Sequence, residues 1–241
     1  MTVEKARRGD ARPRAFEEVL ARIEERIAAD GLTVGDRLPG ERQLAEQLGV
    51  GRSSVREALR VLETLGVVTS QVGRGPDAGA VLTSRPGSAL TELLRLHLGL
   101  ATLSMREVID TRLMIEQWAA VRAATAPSAA STRTAAARMA EAVAAMDATR
   151  DAAEFVEHDI AFHLALAEAP GNRLIVAVMR ALRDSVRRYA EDAVVRLGDT
   201  GGLQDDHRRI HRAIEDGDAG AAADAVAAHL ARAYPDPARQ S

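Results

Sequence analysis

Residues 38–68 read LPGERQLAEQLGVGRSSVREALRVLETLGVV, and this stretch decides the fold of the first part of the chain. Apolar side chains recur at helical spacing on both sides of Gly49, which predicts two helices joined by a tight turn. Ser53 and Ser54 lead the second of these helices, and Gly66 closes it. The β-branched and small residues that follow Gly66 read as a strand. The pattern therefore predicts a helix-turn-helix followed by a strand.

The flanking sequence extends this unit to a winged helix-turn-helix over residues 14–83. Apolar residues from Phe16 to Ile27 repeat at helical spacing and predict an earlier helix over about residues 14–29. A glycine-rich loop from Gly73 to Gly79 separates the first strand from a return strand over residues 80–83. The expected result is three helices and a hairpin, preceded by a disordered tail over residues 1–13.

Residues 84–88 read SRPGS, a cluster of breakers that predicts a linker between two domains. After it, the sequence carries only helical periodicity, so we expect an all-helical antiparallel bundle over residues 89–234 and a C-terminal tail over 235–241. The only tryptophan, Trp118, is expected in its core. The fold class is mainly α. The predicted helices of this domain cover residues 89–99, 104–125, 128–149, 151–168, 171–197, 202–216 and 218–233.

Composition narrows the possible functions. The chain has 241 residues and no cysteine, which excludes disulfides, thiolate metal sites and cysteine nucleophiles. It has neither a long apolar run nor a secretory signal, so we expect a cytoplasmic protein with no membrane segment. The net charge is −3, but residues 37–74 carry six arginines against four glutamates. This asymmetry favours a DNA-contacting first part and a different second part.

The start of the second helix of the helix-turn-helix is the predicted DNA reader, because this end enters the major groove. Arginine there can read guanine, and the serines and free helical N–H groups can hold a phosphate. A purely solvated helix face is the alternative, which the glycine turn and the Gly-Arg-Gly hairpin tip disfavour. The predicted DNA contacts are Arg42, Gly51, Arg52, Ser53, Ser54, Arg56, Gly73 and Arg74.

Six histidines are present, and some of them suggest a metal site in the helical domain. Asp159 and His163 are four residues apart on a predicted helix, so they share a face. His207 and His229 lie among apolar positions of the last two predicted helices. A carboxylate and three imidazoles suit a divalent ion such as Zn, Ni, Mn or Fe(II). Taken singly, such histidines are more often ordinary surface or core residues, and spacing alone leaves both possibilities open.

The stretch from Leu38 to Val68 closely resembles the GntR family of bacterial regulators, over about residues 14–83. The resemblance implies DNA contacts by the residues that match Arg42, Arg52, Ser53, Arg56 and the wing glycine Gly73. The loop Gly73–Gly79 is longer than the usual wing of that family, which is a departure from the pattern.

Residues 89–233 resemble the FCD ligand-binding domain of the FadR-type branch of that family. The match runs through DIAFH at 159–163, GN at 171–172, DHRRI at 206–210 and HL at 229–230. It implies metal binding by Asp159, His163, His207 and His229.

The resemblance also implies an effector site. Arg112 and Glu116 match an Arg-x-x-hydrophobic-Glu motif of the family, and a buried arginine beside a metal can clamp a carboxylate. A helical ion pair between the two residues is the alternative. Asn172 is a third candidate effector contact, although its place after Pro170-Gly171 also suits a turn or a helix cap.

The favoured function is therefore a DNA-binding transcriptional regulator, expected to be a repressor and not an enzyme. As a homodimer it would bind double-stranded operator DNA, and a small organic acid would modulate that binding. Two alternatives stay open. One is a metal-dependent enzyme with an attached DNA-binding domain, and the other is a constitutive DNA binder with a structural metal or none.

Overall fold

The computed structural model describes residues 15–71, 79–84 and 86–235. Within these ranges the chain is mainly helical, as predicted, and it divides into two compact units, Met1–Ala89 and Leu90–Ser241. The predicted tail 1–13, the wing residues Gly73 and Arg74, and residues 236–241 of the predicted C-terminal tail lie outside the described residues. No helix in the described ranges is long and apolar enough to span a membrane.

The first unit contains helices α1 (Ala15–Ala29), α2 (Glu41–Leu48) and α3 (Arg52–Thr64), then strands β1 (Val68–Gln71) and β2 (Gly79–Leu82). The strands pair antiparallel, with Val68 opposite Leu82. Gly49 ends α2 in the left-handed conformation, at φ 64°, which a residue without a β-carbon adopts freely. One apolar core joins all five elements, and its fully buried members include Ile23, Leu44, Val55 and Leu62.

The second unit is a helical bundle. Its helices are α4 (Pro86–Gly99), α5 (Met105–Ala124), α6 (Ala130–Ala148), α7 (Ala152–Glu168), α8 (Arg173–Ser185), α9 (Arg187–Leu197), α10 (Gly201–Glu215) and α11 (Ala219–Ala233). Helix α7 is central: it packs against α5, α6, α8 and α9, and most of its residues from Phe155 onward are buried. Helices α10 and α11 pack against each other and against α5.

Three details differ from the expectations. Helix α4 already begins at Pro86, inside the predicted linker 84–88, because proline suits the first turn of a helix. The single helix predicted over 171–197 is two helices, since the buried Val186 leaves helical geometry at φ −111° and ψ 12°. Trp118 is not a core residue, because 40% of its surface is exposed. Helical periodicity alone contained no signal for either the break or the exposure.

Candidate DNA-binding surface and metal centre

Helices α2 and α3 bury one side and expose the other. Leu44 and Ala45 of α2, and Val55 and Ala58 of α3, point into the core of the first unit. The predicted contact residues stay in solvent: Arg42, Gly51, Arg52, Ser53 and Arg56 are exposed, and Ser54 is half-buried. The apolar spacing of the sequence therefore separates a buried face from a polar, arginine-bearing one.

The start of α3 is open to an anion. Gly51 precedes the helix in extended geometry and, having no side chain, does not cap the first turn. The first N–H groups of a helix lack partners inside it and carry a partial positive charge. With Arg52 and Ser53 beside them, these groups form a surface suited to a DNA phosphate.

Helices α7, α10 and α11 bring four donor side chains together in the second unit. Asp159 and His163 come from α7, His207 from α10 and His229 from α11, and one ligand atom from each lies within 4.8 Å of the others. The Asp159 Oδ1 atom is 3.1 Å from His207 Nε2 and 3.4 Å from His163 Nε2. The Nε2 atoms of His163 and His229 are 3.1 Å apart. All four residues are buried.

These distances fit a shared metal ion. A metal–nitrogen distance of about 2.1 Å places neighbouring ligand atoms about 3.0–3.4 Å apart. The buried Nδ1 atom of His229 has no hydrogen-bond partner among the described residues. Hydrogen bonding alone therefore does not explain why these three histidines are buried together. The donor set of one carboxylate and three imidazoles suits a divalent ion.

Glu116 of α5 lies against one of these histidines, on the side of the ring that faces away from the cluster. Its Oε2 atom lies 2.6 Å from Nδ1 of His163, the ring nitrogen opposite the one that faces the cluster. A carboxylate at that position favours a proton on Nδ1, which leaves the Nε2 lone pair free. Arg112 contacts the other oxygen of Glu116 at 2.8 Å. Glu116 thus lies between Arg112 and His163, although its Oε2 and the Nδ1 of His163 are not aligned as a hydrogen bond, and a contact of Glu116 with an acidic effector stays a prediction.

Charged neighbours keep both carboxylates ionised. Burial by itself would raise the pKa of Glu116, but Arg112 and His163 outweigh it and lower that pKa to about 2. For Asp159, burial likewise opposes ionisation, and the pairing with Arg183 holds the pKa well below its usual range. The cluster therefore presents a carboxylate anion near neutral pH.

Burial shifts the pKa of the imidazoles in the opposite direction from that of the carboxylates. It lowers the pKa of His229 well below the usual value, and the nearby His207 and His163 lower it further. The pKa of His207 is lowered chiefly by burial, against the opposing influence of the nearby Asp159 carboxylate. Neutral imidazole is the form that binds a metal, so the fold prepares both rings for that role.

Arg112 forms the predicted helical ion pair and also keeps a free donor. Its Nε donates to Glu116, its Nη1 donates to the hydroxyl of Tyr234 at 3.2 Å, and its buried Nη2 has no partner among the described residues. The Nε of Arg183 is a second buried donor without a partner there. Each of these N–H groups can donate a hydrogen bond to a carboxylate oxygen.

The structure gives Asn172 a local role. Its Oδ1 atom accepts hydrogen bonds from the backbone N–H groups of Leu174 and Ile175, so it caps α8 at an exposed position. This is the capping role that the sequence offered as the alternative for an asparagine after a Pro-Gly turn, and an effector contact at Asn172 stays a prediction.

The comparison with known families matches both units. The family described as "Bacterial regulatory proteins, gntR family" matches residues 15–76, and the FCD domain matches residues 107–232, just over half of the chain. This chain belongs to the GntR family. Within that family it is a regulator of the FCD-containing, FadR-type branch, and it is not an enzyme.

Several relatives support this assignment to the GntR family. The Glc operon transcriptional activator of Escherichia coli K12 is 30% identical over 205 residues, covering 82% of this chain and 79% of that protein. The regulator LutR of Bacillus subtilis is 30% identical over 83% of this chain and 90% of its own. A solved structure, Streptococcus agalactiae GntR, has a TM-score of 0.64 and 25% identity, covering 89% of this chain and 96% of that one.

Two residues that contact the centre of this GntR-family regulator were missed by sequence reasoning. Arg183 pairs with Asp159, and Tyr234 accepts a hydrogen bond from Arg112. Arg183 has a detectable signal, because it follows Met179 by four residues and so lies on the apolar stripe of α8. Tyr234 follows the end of α11, where periodicity predicts nothing about its partner.

Proposed function

We propose that this GntR-family regulator binds operator DNA as a homodimer and changes its operator affinity when a small carboxylate binds beside a metal ion. The observation that carries the metal and effector part is the convergence of Asp159, His163, His207 and His229, with neighbouring ligand atoms 3.1–3.4 Å apart. Operator binding by the α2–α3 pair rests on its exposed arginines and on the family assignment.

For the DNA step, the N-terminal end of α3 enters the major groove. Arg52 and Arg56 read base edges, while Arg42, Ser53, Ser54 and the Gly51 end of the helix hold phosphates or bases. The predicted wing contacts, Gly73 and Arg74, belong to the same interface. An operator with two-fold symmetry needs two recognition helices, which is the reason for proposing a dimer. Such a protein acts in the cytoplasm, where bacterial DNA is.

For the regulatory step, the four-residue cluster holds a divalent ion, with Zn, Ni, Mn and Fe(II) as candidates. When bound, the ion supplies a positive charge that attracts an anionic effector. Arg112 offers its free Nη2 donor to the effector carboxylate, and Glu116 keeps His163 oriented. Effector binding then biases the placement of the DNA-binding units, a coupling that typically amounts to about 1–3 kcal/mol.

Repression is the direction we propose. A dimer that covers an operator blocks access to that DNA. Activation would require a further surface that contacts the polymerase, whereas repression requires only DNA binding. The names of the relatives do not decide this direction, since one is an activator of the Glc operon and another, the NanR protein of Cronobacter sakazakii, is a repressor. A reporter gene behind the selected operator measures it: we expect lower expression with the regulator present, and higher expression would reverse the assignment.

The test of the metal site is the metal content of the purified protein. We expect about one equivalent per chain, and a clear loss in His163→Ala. His158→Ala is the matched control, because His158 lies on the same helix α7 but outside the four-residue cluster. Full retention of metal in His163→Ala, or equal loss in both variants, would contradict the assignment.

The test of regulation is operator affinity. An operator is first selected from a random duplex library with the full-length protein, and its affinity is then measured with panels of hydroxy, keto and sugar acids, with and without chelator. We expect at least one acid to change the affinity about fivefold or more, in a chelator-sensitive way. No change with any acid would favour a constitutive DNA binder.

A further inference from the structure

The carboxylate of Glu41 clamps the guanidinium of Arg56 across the helix-turn-helix. Glu41 is the first residue of α2, and Arg56 lies in the second turn of α3. The Nε atom of Arg56 is 3.2 Å and 3.1 Å from the two oxygens of Glu41, and its Nη2 atom is 2.9 Å from Oε2. The hydrogen bond with Glu41 also raises the pKa of Arg56, whose guanidinium is charged at neutral pH with or without this partner.

Stability is a weak reason for this contact. The side chains of Arg56 and Glu41 keep 54% and 36% of their surface exposed, and ion pairs in solvent contribute little to folding. A neighbouring pair shows the ordinary case: Arg42 and Glu46 are four residues apart on α2, 4.0 Å from each other and 81% and 73% exposed. The Arg56–Glu41 contact differs because it is bidentate and joins two helices.

The clamp determines which donors of Arg56 remain free. A guanidinium has five N–H groups, and Glu41 occupies the Nε side together with one hydrogen of Nη2. The two hydrogens of Nη1 and the second hydrogen of Nη2 are left on the opposite side. That pair of nitrogens is the fork with which arginine binds O6 and N7 of guanine.

We propose that Glu41 is a specificity-determining positioning residue, which holds Arg56 so that its Nη1–Nη2 fork faces a guanine of the operator. This inference rests on the proposed DNA contact of α3. Glu41 itself touches no base. It acts by reducing the number of orientations that Arg56 must lose when the complex forms.

If Glu41 acted only through its charge, its substitution would have a different effect from the loss of a positioning residue. The side chain is an anion at the DNA-facing end of α2, so its removal should strengthen binding to every sequence by relieving repulsion from the phosphates. Loss of positioning should instead weaken discrimination at a single base pair, together with its symmetry mate. The two effects differ in sequence dependence, so they can be measured separately.

The experiment compares variants of the full-length protein on the selected operator and on all its single-base-pair substitutions. For Glu41→Gln, we expect base discrimination to fall about fivefold at the position that Arg56→Ala also relaxes, which is the lower end of what a bidentate contact contributes. Glu46→Gln removes the same charge from the same helix, and we expect it to keep the base profile. In the Arg56→Ala background, Glu41→Gln should cause no further loss of discrimination.

Glu41→Asp separates geometry from charge. It keeps the anion but shortens the side chain, so we expect the same relaxed base preference without a general gain in affinity. A base profile of Glu41→Gln and Glu41→Asp that matches the wild type would overturn the inference, while leaving the proposed DNA binding intact. A wild-type protein without any sequence preference would overturn the proposed function, and this inference with it.

Discussion

Acidification should destabilise the metal-free protein through the buried histidines. In the folded state, burial lowers the pKa of His207 and holds that of His229 well below the usual value. In the unfolded chain both histidines titrate near pH 6.5. Below that pH the unfolded state binds protons that the folded state does not, so the free energy of unfolding decreases as the pH falls.

The magnitude follows from this difference in proton binding. Between pH 7.5 and pH 5.5, one histidine that stays neutral in the fold lowers the free energy of unfolding by about 1.4 kcal/mol. His229 should contribute about this amount, and His207 up to about the same again. For a domain of this size the total corresponds to a decrease of roughly 3–10 °C in the unfolding midpoint.

The carboxylates of Asp159 and of the neighbouring Glu116 do not interfere in this range. The pKa of Glu116 is lowered to about 2, and that of Asp159 lies well below its usual range. Their stabilising contribution is present above the unfolded pKa values, near pH 4, and is lost only as the pH falls further through the folded values. The window from pH 7.5 to 5.5 therefore isolates the histidines.

The assay is thermal and urea unfolding, followed by circular dichroism, of protein treated with EDTA. His229→Gln should lose about half or more of the pH dependence, whereas His158→Gln, a change on α7 outside the cluster, should keep all of it. The histidines all follow residue 96, so the DNA-binding unit contains none and contributes no histidine titration. Equal unfolding free energies at both pH values, or the same loss in wild type and His229→Gln, would refute the reasoning.

Three further outcomes follow from the two candidate sites. Arg52→Ala should weaken operator binding by about 1–3 kcal/mol and relax the preference at one base position, as measured by fluorescence anisotropy. Arg26→Ala, on α1, is the control. Unchanged affinity in Arg52→Ala would count against the DNA surface. A saturating divalent metal, at about 100 times its Kd, should stabilise the chelator-treated protein by about 2.7 kcal/mol in thermal unfolding, and His207→Ala should remove most of that gain; equal gains in both would contradict the metal site. Arg112→Ala should abolish the acid response but keep operator binding without acid, and a normal response would leave Arg112 with only a structural role.

Much of the fold could be predicted from the sequence because its signals are local. Apolar periodicity placed most helices within two residues of their ends, and Gly49 marked the turn of the helix-turn-helix. The break at Val186 was missed, since no glycine or proline marks it and the packing of Val186 against Val108 and Leu182 decides it. For the same reason Trp118 was misplaced: its position on α5 is local, but its exposure depends on what the bundle leaves uncovered.

The candidate metal centre could likewise be predicted from the sequence only in part. Spacing alone placed Asp159 and His163 on one face, and the apolar setting of His207 and His229 made them candidates, which the family resemblance then supported. Their approach to within 4.8 Å, however, needs three helices that are distant in sequence to cross at one point. The supporting contacts depend on that crossing too, which is why the sequence did not predict the contact of Glu116 with His163 or that of Arg183 with Asp159.

The sequence by itself determined the class of protein. The helix periodicity, the glycine turn and the arginines on the polar face of α2 and α3 depend only on residues that are close in the chain. A helix repeats every 3.6 residues, so a short stretch of sequence is enough to reveal its buried and exposed faces. Only the tertiary structure decided the partners of the charged side chains. Arg56 faces Glu41 and not solvent alone, Arg183 faces Asp159, and Glu116 supports His163. These pairs form between helices that are separated in the chain, so helix packing sets their distances and no local pattern records them.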